Sequence, residues 1–180
     1  MRRLMLLRHA KTETDAPTGR DQDRRLDERG HQDAAKVGDF IASHPPAPDL
    51  VLVSTAVRAR QTWELAAAAM KDRVASPQVE FVPELYGAEP MQLLHQIRLA
   101  AALDPKRLML VGHNPGLHEL ALALTGHGDR SARQELHRNL PTSGLAVFDF
   151  DTDDWTDVSF ARGHLLTFVT PKLLKQGSLD

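Results

Sequence analysis

Leu4-Met5-Leu6-Leu7 stands close to the start of the chain, and Arg8-His9-Ala10-Lys11-Thr12 follows it at once. A run of four apolar residues bounded by polar ones predicts a short β-strand that is buried on both faces, as in a parallel sheet. Ligands of open α/β sheets bind beyond the carboxyl ends of the strands. The stretch therefore places Arg8 and His9 where a reaction could occur, although a strand that simply ends in polar residues would look the same.

Two further apolar runs of this kind, Leu50–Val53 and Leu108–Val111, alternate with segments of helical periodicity. The pattern predicts strands over residues 4–7, 50–53, 79–82, 108–111, 144–150 and 158–169, and helices over about 28–43, 57–73, 90–104 and 115–125. Residues 127–141 are poorly patterned and favour a short helix with a loop. The fold predicted is α/β: a three-layer α/β/α sandwich with a mostly parallel central sheet and a late antiparallel strand, in one domain over residues 1–180.

The expected helix boundaries depend on a few residue types. Asp27 is predicted to cap the first helix, and Pro45–Pro48 to end it. Ser54 and Thr55 are the expected N-caps of the second helix. For the fourth helix we expect Asn114 as N-cap, Pro115 at the first helical position and Gly126 as C-cap.

The composition is that of an ordinary globular protein and excludes several kinds of chemistry. The 180 residues contain no cysteine, so disulfides, thiol nucleophiles and cysteine metal sites are ruled out. A formal charge of -2 gives no electrostatic reason to expect nucleic acid or an anionic membrane as partner. No apolar run approaches the roughly 20 residues that span a bilayer, and the run after Met1-Arg2-Arg3 is too short for a signal peptide. We expect a cytoplasmic protein.

Four side chains that suit phosphate chemistry are expected at one edge of the sheet. The first strand delivers Arg8 and His9, the second leads to Arg58, and the fourth leads to His113. Arg58 lies in the first turn of its helix, where the helix dipole disfavours a cation unless an anion binds there. Two arginines can hold a phosphoryl group, one histidine can attack it, and the other can donate a hydrogen bond to it. A zinc site is not expected, since Arg8 and Arg58 would repel the metal and no HExxH spacing is present.

These stretches resemble the signature motifs of the histidine phosphatase superfamily, the phosphoglycerate mutase-like enzymes. The motifs that carry the resemblance are Arg8–Thr12, Leu26–Gly30, Ser54–Thr62 and Val111–Pro115, in that order along the chain. Pro83-Glu84-Leu85, Thr142-Ser143 and the tail around Pro171–Leu174 are most similar to the small bacterial phosphohistidine phosphatases of the SixA type. Ala10 stands where many relatives have glycine.

The resemblance implies a mechanism as well as the phosphoglycerate mutase-like fold. His9 is the nucleophile that becomes a phosphohistidine, while Arg8, Arg58 and His113 hold the phosphoryl group. Water then releases inorganic phosphate, and no metal or organic cofactor takes part. The resemblance also offers Glu84 as a proton donor, but a solvated turn residue fits the same position.

Two further features of the sequence allow more than one interpretation. The hydroxyl of Thr12 either binds the phosphate or caps the loop. Arg20, Arg24 and Arg25 either line the rim of the site or belong to a solvated charged loop.

Three functions are compatible with these residues. The leading hypothesis is a phosphatase for phosphohistidine in proteins, because the connections over residues 12–27 and 83–90 are short and would leave the pocket uncovered. The alternatives are a phosphomonoesterase for a small phosphorylated metabolite and a phosphate-binding module without catalysis. The expected partner is thus a phosphorylated protein or small molecule, and neither nucleic acid nor a membrane.

Overall fold

A computed structural model describes residues 1–176, which form seven strands and six α-helices. The strands are β1 (Arg2–Arg8), β2 (Leu50–Val53), β3 (Gln78–Phe81), β4 (Arg107–Gly112), β5 (Thr125–Gly128), β6 (Leu145–Phe150) and β7 (Gly163–Val169). The helices are α1 (Glu28–Ser43), α2 (Val57–Met70), α3 (Pro90–Leu99), α4 (Gly116–Leu124), α5 (Arg130–Arg138) and α6 (Pro171–Lys175).

The strands join into one sheet in the order β3-β2-β4-β1-β6-β7-β5. β3, β2, β4 and β1 pair in parallel, β6 runs antiparallel to both of its neighbours, and β5 pairs in parallel with β7. This arrangement confirms the mostly parallel sheet with a late antiparallel strand. The site-bearing strands β1, β2 and β4 all end at the same edge, because they are parallel and adjacent.

Alternate residues of β1 belong to two different hydrophobic clusters, one on each face of the sheet. Leu4 and Leu6 pack with residues of α3, α4 and α5, whereas Met5 and Leu7 pack with residues of α1 and α2. Both faces of the strand are thus covered by helices. This confirms the three-layer sandwich and explains why the first strand is a continuous apolar run.

The cap predicted for α2 is wrong. The N-cap is Ala56, in an extended conformation and without a side-chain hydrogen bond. The hydroxyl of Ser54 is hydrogen-bonded instead to His113, and it accepts a hydrogen bond from the amide of Ala56. α2 also ends three residues earlier than predicted, at Met70, where Asp72 adopts a left-handed conformation with φ of 62°.

The segment around α4 and α5 differs from the prediction at both ends of α4, whereas the short helix predicted within residues 127–141 is present as α5. The N-cap position of α4 belongs to Pro115 rather than Asn114, although the Asn114 side chain accepts a hydrogen bond from the amide of His118. Gly126 does not cap the helix, because the chain enters strand β5 directly after Leu124. Within the poorly patterned residues 127–141, α5 forms from Asp129, whose carboxylate accepts from the amide of Ala132.

The start of β7 and the end of α3 also differ from the prediction. The predicted strand over residues 158–169 begins only at Gly163, since Trp155–Asp157 forms a 3-10 turn that buries Trp155 against the core. α3 ends at Leu99 and continues as a 3-10 turn over Ala100–Ala102. Asp27 is the N-cap of α1, as predicted, and accepts a hydrogen bond from the amide of Gly30. None of the helices within residues 1–176 is long and apolar enough to cross a membrane.

Candidate active site

Two histidine rings meet where β1 and β4 end. The amide of His9 donates to the carbonyl of Gly112, the last residue of β4, so the segments that follow the two strands start side by side. The rings of His9 and His113 lie 5.3 Å apart between centroids. Arg8 and Arg58 are close enough for their charges to lower the pKa of both rings. The structure therefore brings together the four side chains that the sequence predicts to converge.

The orientation of the His9 ring suits a nucleophile. The ring is buried, and its Nδ1 lies 2.8 Å from the carbonyl oxygen of Ala10. A carbonyl can only accept, so Nδ1 carries the proton and Nε2 keeps a free lone pair in the neutral ring. Burial, followed by the charges of His113, Arg58 and Arg8, lowers the pKa of His9 to about 3. The ring is thus neutral at pH 7.

The loop that carries His9 is tied to α2. The amide of Ala10 donates to Oγ1 of Thr62 at 2.9 Å, and that hydroxyl donates in turn to the carbonyl of Arg58 at 2.7 Å. Since Thr62 sits one turn after Arg58, the helix fixes the nucleophile loop and an arginine of the site together.

His113 is held in place by Ser54, the residue that follows β2. Its Nε2 lies 2.7 Å from Oγ of Ser54, which is fully buried. Its Nδ1 is buried and has no hydrogen-bond partner within residues 1–176. Burial, followed by the nearby Arg58, lowers the pKa of this ring to about 4. Ser54 was expected as a helix cap, and its contact with His113 could not be read from the sequence.

The two arginines also keep donors unused. Nη1 and Nη2 of Arg58 donate to the backbone carbonyl and the carboxylate of Asp21, at 2.8 and 2.9 Å. Nη1 of Arg8 donates to the carbonyl of Leu140 at 3.2 Å. Nε of both arginines is buried without a partner in the described part of the chain. Buried donors without partners are costly, and an anion that accepts from them removes that cost.

Asp21 is a site residue that the sequence analysis did not single out. Its carboxylate accepts from Arg58, from the hydroxyl of Tyr86 at 2.6 Å, and more distantly from Arg24. The hydrogen bond from Tyr86, followed by Arg58, lowers the pKa of Asp21 to about 2. Asp21 is therefore ionised at neutral pH and acts as an anchor for Arg58 rather than as a proton donor.

Tyr86 reaches the site where the sequence had offered Glu84. Its ring packs edge-on against His113 at 5.4 Å between centroids. Cζ of the Arg58 guanidinium lies 5.7 Å from the centroid of the Tyr86 ring. Glu84 is exposed in the 3-10 turn Pro83–Leu85 and makes no hydrogen bond to another described residue. The role of Glu84 as a proton donor stays a prediction.

The basic loop divides into one arginine at the site and two outside it. Arg24 donates a hydrogen bond to Oγ1 of Thr12, and its charge contributes to the lowered pKa of Arg8 and of His113. Arg25 pairs with Glu13 on the surface, and Arg20 is exposed. The two interpretations of this loop therefore each hold for part of it, and Thr12 is in contact with the arginine that lies inward.

Within residues 1–176, no group of three or more histidine, aspartate or glutamate side chains is arranged to hold a metal ion. The charges nearest to the histidines are largely cationic, which suits a phosphoryl group.

A mostly parallel sheet of this topology, with its histidines beyond the carboxyl ends of the strands, is the fold of the phosphoglycerate mutase-like enzymes. The chain belongs to the histidine phosphatase superfamily. Residues 4–85 match the model of the histidine phosphatase superfamily (branch 1).

Similar proteins cover nearly the whole chain. The crystal structure of a candidate phosphohistidine phosphatase SixA from Agrobacterium tumefaciens is 35% identical, with a TM-score of 0.77 over 94% of this chain and 98% of that one. A second SixA candidate, from Nakamurella multipartita, is 30% identical, with a TM-score of 0.80 over 94% and 96% of the two chains. An uncharacterised protein of Mycobacterium leprae is 33% identical over 92% of this chain and its own full length.

The lowered pKa values of the two histidines lead to a spectroscopic prediction. A ring whose pKa is lowered stays neutral above that lowered value, so the ring resonances of His9 and His113 should not shift between pH 8 and pH 5. Saturating inorganic phosphate should raise the pKa of His113, because a bound dianion offsets Arg8 and Arg58. NMR of the ring carbons checks this, with His9→Ala and His113→Ala to assign the signals. A midpoint near the ordinary value of ~6.5 in the free protein would contradict it.

Proposed function

We propose that this protein is a metal-independent phosphatase that removes the phosphoryl group from phosphohistidine in proteins through a phosphohistidine intermediate on His9. The observation that carries the proposal is the lone pair of His9, directed by the Ala10 carbonyl, beside buried N–H donors that have no partner. Those donors are Nε of Arg8 and Nε of Arg58, and the unpartnered Nδ1 of His113 adds a third when it carries the proton; together they suit the equatorial oxygens of a transferring phosphoryl group.

In the first step, Nε2 of His9 attacks phosphorus, and the bond between phosphorus and the substrate nitrogen breaks. The leaving imidazole departs as a neutral ring when its second nitrogen has taken a proton from solvent, so a dedicated acid is not required. Arg8 and Arg58 bind the charge that spreads over the phosphoryl oxygens, and His113 adds a donor.

In the second step, water attacks the phosphohistidine of His9. The bond between phosphorus and Nε2 breaks, inorganic phosphate leaves, and the ring returns to its neutral form with the proton still on Nδ1. Because Nδ1 keeps its proton throughout, the phosphorylated ring is a cation that departs as a neutral imidazole, and the low pKa of His9 favours this departure.

The segments that flank the site support a protein substrate. Between β1 and α1, and between β3 and α3, the chain forms only the 3-10 turns Asp21–Asp23 and Pro83–Leu85. Neither segment contains a helix long enough to fold over the histidines. A histidine side chain on the surface of another protein could enter such a site, and the two SixA candidates carry the same activity in their names.

A substrate panel tests the proposal. The purified protein is assayed with a histidine-phosphorylated peptide and with a set of phosphorylated metabolites, each in the presence of EDTA. We expect turnover of the peptide, unchanged by EDTA, and slower turnover of the metabolites. Turnover of metabolites alone would support the phosphomonoesterase, and phosphate binding without any turnover would support the binding module.

The contacts of Asp21 predict a positioning effect on catalysis. Asp21→Asn keeps the size of the side chain but removes the charge that holds Arg58, and Tyr86→Phe removes the hydroxyl that holds Asp21. We expect kcat/KM to fall about tenfold in Asp21→Asn and a few-fold in Tyr86→Phe, with a double variant no worse than Asp21→Asn alone. Steady-state kinetics of the three variants check this, and fully additive losses would contradict a shared contact.

A further inference from the structure

A basic surface outside the site lies along helix α5. Its residues Arg130, Arg133, Gln134, His137 and Arg138 recur at a spacing of three and four residues, so they share one face of the helix. This face lines a groove of about 710 Å³, which the half-buried Leu122 of α4 also lines. The chain as a whole carries a formal charge of -2, so a cationic groove stands out against the rest of the protein.

The charges in this groove are not neutralised internally. Arg130 and Arg133 are exposed and have no carboxylate within ion-pair distance among residues 1–176. Glu135 is the single acidic residue of α5, and it pairs with Arg138 at 2.9 Å. An anionic ligand along the groove would therefore gain attraction from two free guanidinium groups without breaking an existing ion pair.

The helix leads directly to the candidate active site. Two residues beyond its end, the carbonyl of Leu140 accepts from Arg8 and from the side chain of Asn114. Arg138 also lines a second groove, of about 330 Å³, together with Lys11 of the loop that carries His9. This second groove also contains the carboxylates of Asp33 and Glu135, so the unpaired positive charge is concentrated at Arg130 and Arg133. Arg138 and Lys11 connect the helix to the loop of His9.

We propose that the groove along α5 binds an acidic segment of the histidine-phosphorylated protein while its phosphohistidine occupies the active site; the proposal rests on the function proposed above. From Arg130 to Arg138 the helix rises by about 12 Å, which about four residues of extended chain can match. The half-buried Leu122 adds apolar contact area that a side chain of a protein segment can cover. The net negative charge of the chain disfavours general binding of nucleic acid.

A pair of peptides tests the docking surface without knowledge of the natural partner. Both carry phosphohistidine at the centre, one with about eight glutamates on each side, enough to span the path to α5 and the helix itself, and the other with glutamines at the same positions. At low ionic strength we expect kcat/KM to be about tenfold higher for the glutamate peptide, and we expect salt to remove the difference.

Charge reversal at the groove supplies the decisive variant. Arg130→Glu/Arg133→Glu should abolish the preference for the glutamate peptide and leave the turnover of phosphoramidate, a small substrate, unchanged. Lys71→Glu/Arg162→Glu changes the net charge equally at exposed positions away from the active-site edge and should keep the preference. If circular dichroism shows that the charge-reversed protein does not fold, Arg130→Gln/Arg133→Gln takes its place. We expect this neutral variant to show a smaller loss of the preference for the glutamate peptide.

The outcomes separate the two proposals. Equal turnover of both peptides by the wild type, or a preference that survives in Arg130→Glu/Arg133→Glu, overturns the docking surface alone. Turnover of neither peptide overturns the proposed function and the docking surface together. A single-stranded oligonucleotide that competes better than the unphosphorylated glutamate peptide would assign the groove to nucleic acid and overturn the proposal.

Discussion

His9→Ala is expected to lower kcat by at least about 10⁴-fold, because it removes the only side chain placed to attack phosphorus in the proposed mechanism. The wild type, quenched shortly after mixing with a phosphorylated substrate, should carry an acid-labile phosphoryl group that the variant lacks. Rapid-quench labelling followed by mass spectrometry measures both the presence and the position of that group.

His95→Ala is the matched control, since His95 is an exposed histidine on α3, away from the sheet edge. It should retain wild-type turnover and the phosphoryl label. Because His9 is buried, thermal unfolding of both variants shows whether a loss of activity reflects a loss of folded protein. Activity that survives in a folded His9→Ala protein would remove His9 from the role of nucleophile.

Arg58→Ala is expected to lower kcat/KM by about 10³-fold. The change removes donors to the phosphoryl group and leaves the carboxylate of Asp21 without its guanidinium partner. The substitution should also raise the pKa of His9 and of His113, because Arg58 lowers both values in the wild type. The acidic limb of the kcat/KM profile should therefore move toward neutral pH.

Two variants on the same helix sharpen this result. Arg58→Lys keeps the positive charge but cannot donate from two nitrogens to Asp21, so a loss of about 10²-fold is expected. Arg60→Ala removes an exposed arginine that packs over the ring of Phe81 at 5.0 Å, and it should stay within about twofold of the wild type. A loss in Arg60→Ala equal to that in Arg58→Ala would indicate damage to α2 rather than to the site.

The parts of the fold that could be predicted depend on contacts that repeat along the chain. β1, β2 and β4 are buried on both faces, so each appears in the sequence as an uninterrupted apolar run. Their parallel pairing follows from the helices between them, and it brings His9 and His113 to one edge. For that reason, Arg8, His9 and His113 could be named from strand ends, and Arg58 from the first turn of the helix that follows β2.

The remaining site residues could not be predicted because their contacts join distant segments. Asp21 reaches Arg58 across 37 positions, and Tyr86 reaches Asp21 across 65, through loops that have no periodicity. Ser54 shows the same limit: as a residue before a helix it favours a cap, but the approach of β4 places His113 within reach of its hydroxyl. The capping preference of Ser54 is local, whereas its contact with His113 exists only once the sheet has folded.

The position of β4 in the sheet also affects how this protein folds during its synthesis. β4 lies between β1 and β2, so residues 1–85 cannot pair their own first two strands without it. The backbone amide of Ser143 also donates to the carbonyls of Arg8 and His9. Contacts between such distant segments slow folding, and nearly half of the nascent chain must wait, with apolar strands exposed, for sequence made much later. A ribosome-bound chain that stops before His113 should therefore depend on chaperones and have no phosphatase activity.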